Sequence, residues 1–437
     1  MQEEQTIQPL RDPANVGQPL PEGITPVAGG VTAAAGFKAA GVHAGFRPQP
    51  ERLDFALVVA DQPCSAAATF TQNVFCAAPV TVSREHLDGV SYGTARAVII
   101  NSGNANAATG AVGLQAAEQS ARMAAEAVGC TANEVLVAST GVIGQHLPLE
   151  PFGPGLQLAT AAAAATPEAG HSAARAIMTT DTVPKECAVT FEGESVGLPG
   201  CTFTVGGMAK GSGMIMPNMA TMISVITTDA PVGAYALHEA LISAVQASFN
   251  KITVDSDTST NDTCFALASG AAAPGNTEAF APETPAYQRF CEALRYVCTN
   301  LARQQAQDGE GATRLVTVNL SGAATPEDAD LAARTVANSP LVKTAIYGHD
   351  CNWGRIAGAV GRSGARFEQL QVDIDIMGLP VCRGGLTVPF SEEEALRRFE
   401  DPEIVIDINL GAGDAATTVW TCDFSHDYVT INGDYRT

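Results

Sequence analysis

The chain has 437 residues, of which 46% are hydrophobic and 16% are charged, so it can bury a substantial core in one large domain or in several ordinary ones. Its formal net charge of −22 argues against nucleic acid and anionic membranes as partners, because both require a basic surface. No apolar run is long enough to cross a bilayer, so no membrane span is predicted.

Cysteine and histidine spacing gives no sign of a metal site. The eleven cysteines form no C-x-x-C pair, and the seven histidines show no H-x-x-x-H or H-E-x-x-H pattern. Free thiols in a reducing compartment are therefore expected. The polar, acidic first residues resemble neither a signal peptide nor a basic transit peptide, which favours a cytoplasmic location.

The first half of the chain alternates apolar runs with glycine-rich loops. Residues 1–30 carry several prolines without periodicity and predict an irregular arm. Strands and helices follow in the apolar and alanine-rich runs. The predicted elements are strands at 54–60, 68–71, 95–101 and 134–138, and helices at 114–128 and at 159–178 with a break near Pro167.

The second half is richer in strands. A β-branched run at 221–228 predicts a buried strand, and period-two alternation predicts half-buried strands near the end of the chain. With its helical connections, this pattern fits an α+β sandwich better than a doubly wound parallel sheet. The other predicted elements are helices at 235–249, 285–307 and 331–343, and strands at 251–257, 315–320, 403–410, 417–421 and 428–432.

Thr221 stands where a Gly/Pro-containing loop meets the first residue of the strand at 221–228. A threonine hydroxyl needs a base, and a threonine at the N-terminus of a cleaved chain can use its own amine, whose pKa is about 7.7–8.0. The same hydroxyl could first attack the carbonyl of Ala220 and so cut the chain. Taken alone, however, the stretch favours an ordinary β-branched residue that opens a strand.

Four further positions have a functional and an ordinary interpretation each. Thr140 and Gly141 follow a strand and could form an oxyanion hole or a plain turn. Lys210 could bind a carboxylate or be solvated, and the hydroxyl-rich turn at 178–182 could contact substrate or end a helix. Glu310, between two glycines, could receive a substrate ammonium or belong to a polar loop. The glycine motifs lack the pattern of a phosphate loop.

Together these loops resemble one family, the ornithine acetyltransferases of arginine biosynthesis, also called glutamate N-acetyltransferases. The resemblance covers the chain from about residue 30 to its end, with the motifs in the family's order. The matching motifs lie at 101–106, 139–144, 178–182, 210–215, 217–222, 257–262, 308–313, 352–355 and 431–437.

The resemblance implies an α/β sandwich similar to N-terminal-nucleophile enzymes, with a smaller strand-rich C-terminal α/β domain. It implies self-cleavage between Ala220 and Thr221 and assembly as a dimer of cleaved heterodimers, a heterotetramer. After the arm at 1–30, the α chain would occupy 31–220. The β chain would begin with 221–310, which holds the nucleophile strand, and continue into the C-terminal domain at 311–437.

The resemblance also assigns roles to individual residues. Thr221 would be the nucleophile, and Thr140 and Gly141 would form the oxyanion hole. Lys210 would neutralise the substrate α-carboxylate, while Glu310, with the terminal carboxylate, would accept the ornithine ammonium. The implied substrate contacts are Thr179, Lys210, Thr221, Glu310, Asn432 and Thr437.

The implied reaction is a ping-pong transfer of acetyl from N2-acetyl-L-ornithine to L-glutamate without cofactor or metal. Three alternatives stay open: a bifunctional enzyme that also uses acetyl-CoA, a self-cleaving aminopeptidase or amidase, and an uncut protein that binds acyl amino acids. The chain departs from the family pattern at Met216, where histidine is expected, and at Ser256, where glycine is expected.

Overall fold

The computed structural model describes residues 18–216 and 222–434. They divide into two compact units. The large unit contains residues 18–216, 222–250 and 257–305, and the small unit contains residues 251–256 and 306–434. Within these ranges no helix is both long and apolar enough to span a membrane. All eleven cysteines lie in the described ranges, and all carry free thiols.

A mixed sheet forms the centre of the large unit. Its described strands, in chain order, are β1 (Ile24–Pro26), β2 (Phe37–Val42), β3 (Phe55–Phe70), β4 (Tyr92–Asn104), β5 (Val135–Val142), β6 (Lys185–Glu192), β7 (Thr202–Lys210), β8 (Ile223–Thr228) and β9 (Thr263–Ala268). Their order across the sheet is β1-β6-β7-β8-β9-β3-β4-β5, and β2 also pairs with β3. The pairs β8–β9 and β4–β5 are parallel, and the other pairs are antiparallel.

Apolar clusters cover both faces of this sheet. Successive side chains of a strand point to opposite faces, so neighbouring residues belong to different clusters. Leu57 and Ile99 pack in one apolar cluster, whereas their chain neighbours Val58 and Val98 pack in another. The helices are α1 (Ala78–His86), α2 (Gly110–Val128), α3 (Phe152–Ala162), α4 (Pro167–Ala176), α5 (Ala234–Ala247) and α6 (Pro285–Gln307). This layered α/β architecture confirms the predicted fold class.

The predicted elements of the large unit are largely present. The helix predicted at 285–307 has the observed bounds of α6, and its proline occupies the first position, where no N–H is needed. The strands predicted at 54–60 and 68–71 are the two ends of the single strand β3. A shift in the pairing register between Val59 and Cys64 separates the two ends, as expected for a polar interruption of an apolar run.

The small unit has its own sheet and its own apolar core. Its described strands are β10 (Leu315–Ala323), β11 (Asp373–Ile376), β12 (Leu379–Arg383), β13 (Leu386–Thr387), β14 (Glu403–Asn409) and β15 (Ala415–Cys422), in the order β13-β12-β11-β14-β10-β15. Alternate residues such as Val316 and Ile404 pack against the helices. These helices are α7 (Pro326–Ala337), α8 (Pro340–Tyr347), α9 (Trp353–Gly361), α10 (Glu392–Arg398) and α11 (His426–Asp434). The predicted strand-rich character of this part is confirmed.

Two predicted strands of the small unit are wrong. The segment 251–257 makes only an isolated bridge, between Ile252 and Trp420, among the described residues. Ser256 then takes a positive φ of 67°, which ends any extended run.

The segment 428–432 belongs to helix α11. The Ser425 hydroxyl accepts the N–H of Asp427 at 3.1 Å near the start of this helix, and the Asn432 amide donates to the Tyr428 carbonyl at 3.0 Å. These local hydrogen bonds outweigh the strand propensity of the β-branched residues.

The helix predicted at 331–343 is interrupted. It corresponds to the end of α7 and the start of α8, which are separated at Asn338 and Ser339. Pro340 opens α8, and a proline cannot continue a preceding helix because it lacks an N–H and its ring clashes with the preceding turn.

Candidate functional site

Thr140 and Gly141 lie at the end of β5, beside the end of β4. In the parallel pairing of these strands, Thr140 is opposite Ser102 and Gly141 is opposite Gly103. Gly141 has a φ of 131°, and a Cβ there would lie 2.3 Å from the backbone carbon of Gly103. Only glycine fits this conformation and this close backbone approach. The predicted oxyanion residues therefore occupy a strand end whose geometry depends on the neighbouring strand.

Asparagine side chains stiffen this strand end. The amide of Asn101 donates to the carbonyl of Asn104 at 2.9 Å and accepts the Ser139 hydroxyl at 2.6 Å. The amide of Asn104 donates to the carbonyl of His146 at 3.1 Å. Each bond satisfies a polar group in a largely buried loop, so the backbone before Thr140 has few alternative conformations.

Asn261 connects the loop after β4 with strand β5. Its buried amide donates to the carbonyl of Ala105 at 2.5 Å and to the carbonyl of Ser139 at 2.8 Å. The Thr260 hydroxyl donates to the side-chain oxygen Oδ1 of Asn261 at 2.6 Å, which orients the side-chain amide. Asn261 is therefore a clamp on the residue that immediately precedes Thr140.

The segment containing Asn261 also contacts the residues on both sides of 217–221. The Thr258 hydroxyl donates to the carbonyl of Met216 at 3.0 Å, and the N–H of Thr263 donates to the carbonyl of Met222 at 2.8 Å. One short segment of the large unit therefore contacts Ser139, next to the predicted oxyanion residues, and both described flanks of the predicted cleavage stretch. Ala220, Thr221 and Thr437 lie outside the described residues, so their assigned roles stay predictions.

Lys210 is the last residue of β7 and is largely buried. Its main-chain carbonyl accepts a hydrogen bond from the side-chain amide of Gln305, on α6, at 2.7 Å. Gly211 follows with a φ of 151°. The main chain at Lys210 is thus anchored from the helix side.

A buried carboxylate, Asp181, joins the surroundings of Lys210 to those of Thr179. Its Oδ1 accepts Lys185 Nζ and the N–H of Gly211, each at 2.7 Å, and its Oδ2 accepts the N–H of Thr179 at 2.9 Å. Burial alone would raise the pKa of the Asp181 carboxyl, but the charges of Lys185 and Lys210 and these hydrogen bonds hold that pKa well below its usual range. Asp181 is therefore ionised at neutral pH.

The turn that carries Thr179 is anchored on its other side by arginines. Arg47 donates to the carbonyl of Met178 at 3.0 Å, and Arg52 donates to the carbonyl of Thr179 at 2.9 Å. Together with Asp181, these contacts place two predicted substrate-binding residues, Thr179 and Lys210, around one carboxylate.

Within the small unit, the structure brings Glu310 and Asn432 together. The amide of Asn432 donates to Glu310 Oε2 at 2.7 Å, and Glu310 is 7% exposed. The Gly311 carbonyl next to it accepts the Ser425 hydroxyl at 2.5 Å, and the N–H of Thr313 donates to Asp423 at 2.8 Å. The predicted ammonium-binding carboxylate is thus presented by a loop with defined hydrogen bonds.

Sequence reasoning gave no specific role to Asp181, Asn261, Asn101 or Asn104. All four lie within the matching motifs, where a polar residue beside glycine, serine or threonine was the available signal. Across the described ranges, no cluster of His, Cys, Asp and Glu has the geometry to hold a metal ion.

Comparison with known proteins identifies the family. The ArgJ family profile matches residues 38–437. The "Arginine biosynthesis bifunctional protein ArgJ" of Symbiobacterium thermophilum is 48% identical over 412 residues, which are 94% of this chain and 99% of that protein. The chloroplastic protein of the same name from Oryza sativa subsp. indica is 44% identical, over 94% of this chain and 88% of its own. A solved ornithine acetyltransferase from Mycobacterium tuberculosis, complexed with ornithine, is 40% identical and covers 46% of this chain and 99% of its own, with a TM-score of 0.40. As the ordered motifs predicted, the chain belongs to the ArgJ family and is an enzyme of arginine biosynthesis.

Proposed function

We propose that this enzyme transfers the acetyl group of N2-acetyl-L-ornithine to L-glutamate through an acetyl ester on Thr221. The observation that carries the proposal is the clamp by Asn261, which holds the carbonyl of Ser139 directly before the oxyanion residues Thr140 and Gly141. The same segment holds Met222, the residue that follows Thr221 in the chain. A nucleophile strand and an oxyanion loop with a common support suit acyl transfer.

The enzyme first matures by cutting itself. The Thr221 hydroxyl oxygen attacks the carbonyl carbon of Ala220, and the peptide C–N bond breaks as the new ester C–O bond forms. The hydroxyl proton passes to the Thr221 nitrogen, which becomes a free α-amine when the C–N bond breaks. Water then hydrolyses the ester, which restores the Thr221 hydroxyl and leaves Ala220 with a terminal carboxylate. The products are chains 1–220 and 221–437.

The free amine serves as the base in the acetyl transfer. It takes the proton of the Thr221 hydroxyl as the oxygen attacks the acetyl carbonyl of acetylornithine. The Thr140 hydroxyl and the Gly141 N–H donate to the resulting oxyanion. The proton passes to the leaving α-nitrogen of ornithine, and the acetyl group stays on the Thr221 oxygen. The α-amine of glutamate then attacks the ester and regenerates Thr221. Because the ester keeps the acetyl group reactive, the transfer needs no ATP, metal or other cofactor.

Each charged group of the substrate is recognised by a residue of opposite charge. Lys210 neutralises the α-carboxylate, with Thr179 as a further contact of the same group. Glu310, oriented by Asn432, accepts the side-chain ammonium of ornithine, together with the carboxylate of Thr437. The mature enzyme assembles as a dimer of α/β heterodimers.

A second donor is also proposed, because the relatives from Symbiobacterium thermophilum and rice are both named bifunctional. In this second activity acetyl-CoA acetylates glutamate directly. It is measured as coenzyme A release that depends on glutamate, in the absence of acetylornithine. No glutamate-dependent release would restrict the enzyme to the acetylornithine reaction.

The central test compares Thr221→Ala with Thr221→Ser. The alanine variant is expected to stay uncut on a denaturing gel, to keep the intact mass of the full chain and to have no transferase activity. The serine variant retains a hydroxyl and is expected to be cut and partly active. A cut or active alanine variant would refute the mechanism. Release of acetate from acetylornithine without acetylglutamate would indicate an amidase, and an uncut wild-type chain that binds acetylornithine would indicate a binding protein.

A further inference from the structure

Asp181 accepts more hydrogen bonds than its buried ion pair with Lys185 alone would provide. Its side chain and that of Lys185 are both 0% exposed, and they are 2.7 Å apart. In addition, each carboxylate oxygen accepts a backbone N–H, from Thr179 on one side and from Gly211 on the other. One carboxylate thus joins the turn before β6, the first residue of β6 and the residue that follows β7.

The residues joined in this way are those assigned to the substrate carboxylate. Thr179 itself donates its N–H to Asp181, and Gly211 is the chain neighbour of Lys210. The positive charge of Lys210, after that of Lys185, also helps to lower the pKa of the Asp181 carboxyl. The Lys210 main chain is meanwhile fixed from α6 by Gln305. The backbone on both sides of the proposed carboxylate site therefore depends on one buried anion.

Orientation matters here because a lysine is a point charge on a flexible stem. An ammonium without a fixed direction loses rotamer freedom when a ligand binds, and this loss weakens binding. A buried carboxylate that attracts the ammonium removes part of this freedom beforehand. It also fixes the distance between the lysine and the Thr179 turn, so that both groups can meet one small ligand.

We infer that Asp181 is a positioning residue that orients Lys210 and the Thr179 turn for recognition of the α-carboxylate of the amino-acid substrates. The inference rests on the proposed function, in which Lys210 binds that carboxylate. Asp181 acts through Lys210 and Thr179 and does not contact the reacting atoms.

The test uses the mature enzyme and two acetyl donors, N2-acetylornithine and its α-carboxamide. The measured quantity is the ratio of kcat/KM for the carboxylate donor to kcat/KM for the carboxamide donor. Asp181→Asn is nearly isosteric and is expected to lower this ratio by about tenfold to a hundredfold, mainly through KM for the carboxylate donor, because a misplacement of about 1 Å has effects of this size. Lys210→Met is expected to abolish the preference.

Asp229 provides the matched control. It is also a buried carboxylate of the large unit and accepts backbone N–H groups, from Thr204 at 2.7 Å and from Ala35 at 3.0 Å. Asp229→Asn is expected to lower thermal stability and to leave the substrate ratio unchanged. An Asp181→Asn variant that loses stability in the same way and keeps the wild-type ratio would overturn the inference.

A double variant covers the case in which Asp181→Asn fails to fold. Asp181→Asn combined with Lys185→Met removes both charges of the buried pair, and neutral replacement of such a pair is often tolerated. It is expected to show the same loss of preference. If this variant keeps the wild-type ratio while Lys210→Met abolishes the preference, the positioning role of Asp181 is refuted and the proposed role of Lys210 stands. If Lys210→Met keeps the preference, the proposed role of Lys210 fails, and the inference fails with it.

Discussion

Gly141→Ala is the change that most directly tests the oxyanion loop. At the φ of 131° found at Gly141, a Cβ would lie 2.3 Å from the carbon of Gly103 and 2.6 Å from the nitrogen of Asn104. Carbon atoms pack at about 3.5–4.0 Å, so the two strand ends must move apart by roughly 1 Å. The backbone conformation costs about 1–3 kcal/mol for a residue other than glycine, and the overpacking costs a similar amount.

The expected result is a loss of both stability and turnover. The free energy of unfolding should fall by about 2–6 kcal/mol, which urea unfolding measures. A displaced oxyanion donor lowers kcat for acetyl transfer by about 10²–10³-fold. Self-cleavage should slow as well, because it passes through a similar tetrahedral intermediate. The cut fraction is read from a denaturing gel over time.

Gly144→Ala is the matched control in the same loop. Gly144 also has a positive φ, of 81°, but a Cβ there would have no neighbour within 4 Å. Its replacement should cost only the backbone strain of about 1–2 kcal/mol and should leave kcat almost unchanged. Equal turnover in Gly141→Ala and Gly144→Ala would refute the oxyanion role.

Other predictions address the clamp, a strained turn and the two charged groups. Asn261→Leu leaves buried carbonyls without donors and should lower the unfolding free energy by about 2–4 kcal/mol together with kcat; unchanged urea stability would contradict the clamp. Ser256→Gly relieves a positive φ and should raise stability by up to about 1 kcal/mol in thermal unfolding, whereas a lower Tm would speak against it. Glu310→Gln should raise KM for acetylornithine about tenfold and leave KM for glutamate nearly unchanged; equal effects on both would exclude the ammonium role. For Asp181, the lowered folded-state pKa means that its stabilisation is complete above the ordinary Asp pKa of about 3.9 and is lost as pH falls below it. The stability gap between wild type and Asp181→Asn should therefore be constant from pH 7 to pH 5 and shrink towards pH 3, and a gap that widens with acid would contradict this assignment.

Local sequence patterns were sufficient where local physics decides the structure. The helix at 285–307 begins with proline and has a clear apolar stripe, and its bounds were predicted correctly. The buried strands around 95–101 and 134–138 are β-branched runs closed by glycine loops, and they became β4 and β5. Thr140 and Gly141 were expected in the loop directly after the second of these strands, and in the structure they lie among the last three residues of β5.

The site residues that were not predicted from the sequence owe their roles to hydrogen bonds with residues distant in the chain. Asn261 bonds to a carbonyl 156 positions earlier, and Asp181 bonds to an N–H 30 positions later. A single sequence contains no signal for such pairs, because asparagine and aspartate are equally common in exposed turns. At 428–432 β-branched residues suggested a strand, but a capped helix formed, since the hydrogen bonds around Ser425 and Asn432 were not apparent from propensity.

The position of β8 and β9 has a consequence for how this protein can be made. Strands β1 to β7 come from the chain before the proposed cut, whereas β8 and β9 come from the chain after it and lie between β7 and β3. Neither polypeptide can therefore complete its sheet alone, and each would leave long strand edges open to aggregation. If the chain is cut at the proposed site, the precursor would have to fold as one molecule first, and a gene split at that point is expected to yield insoluble halves rather than an active enzyme.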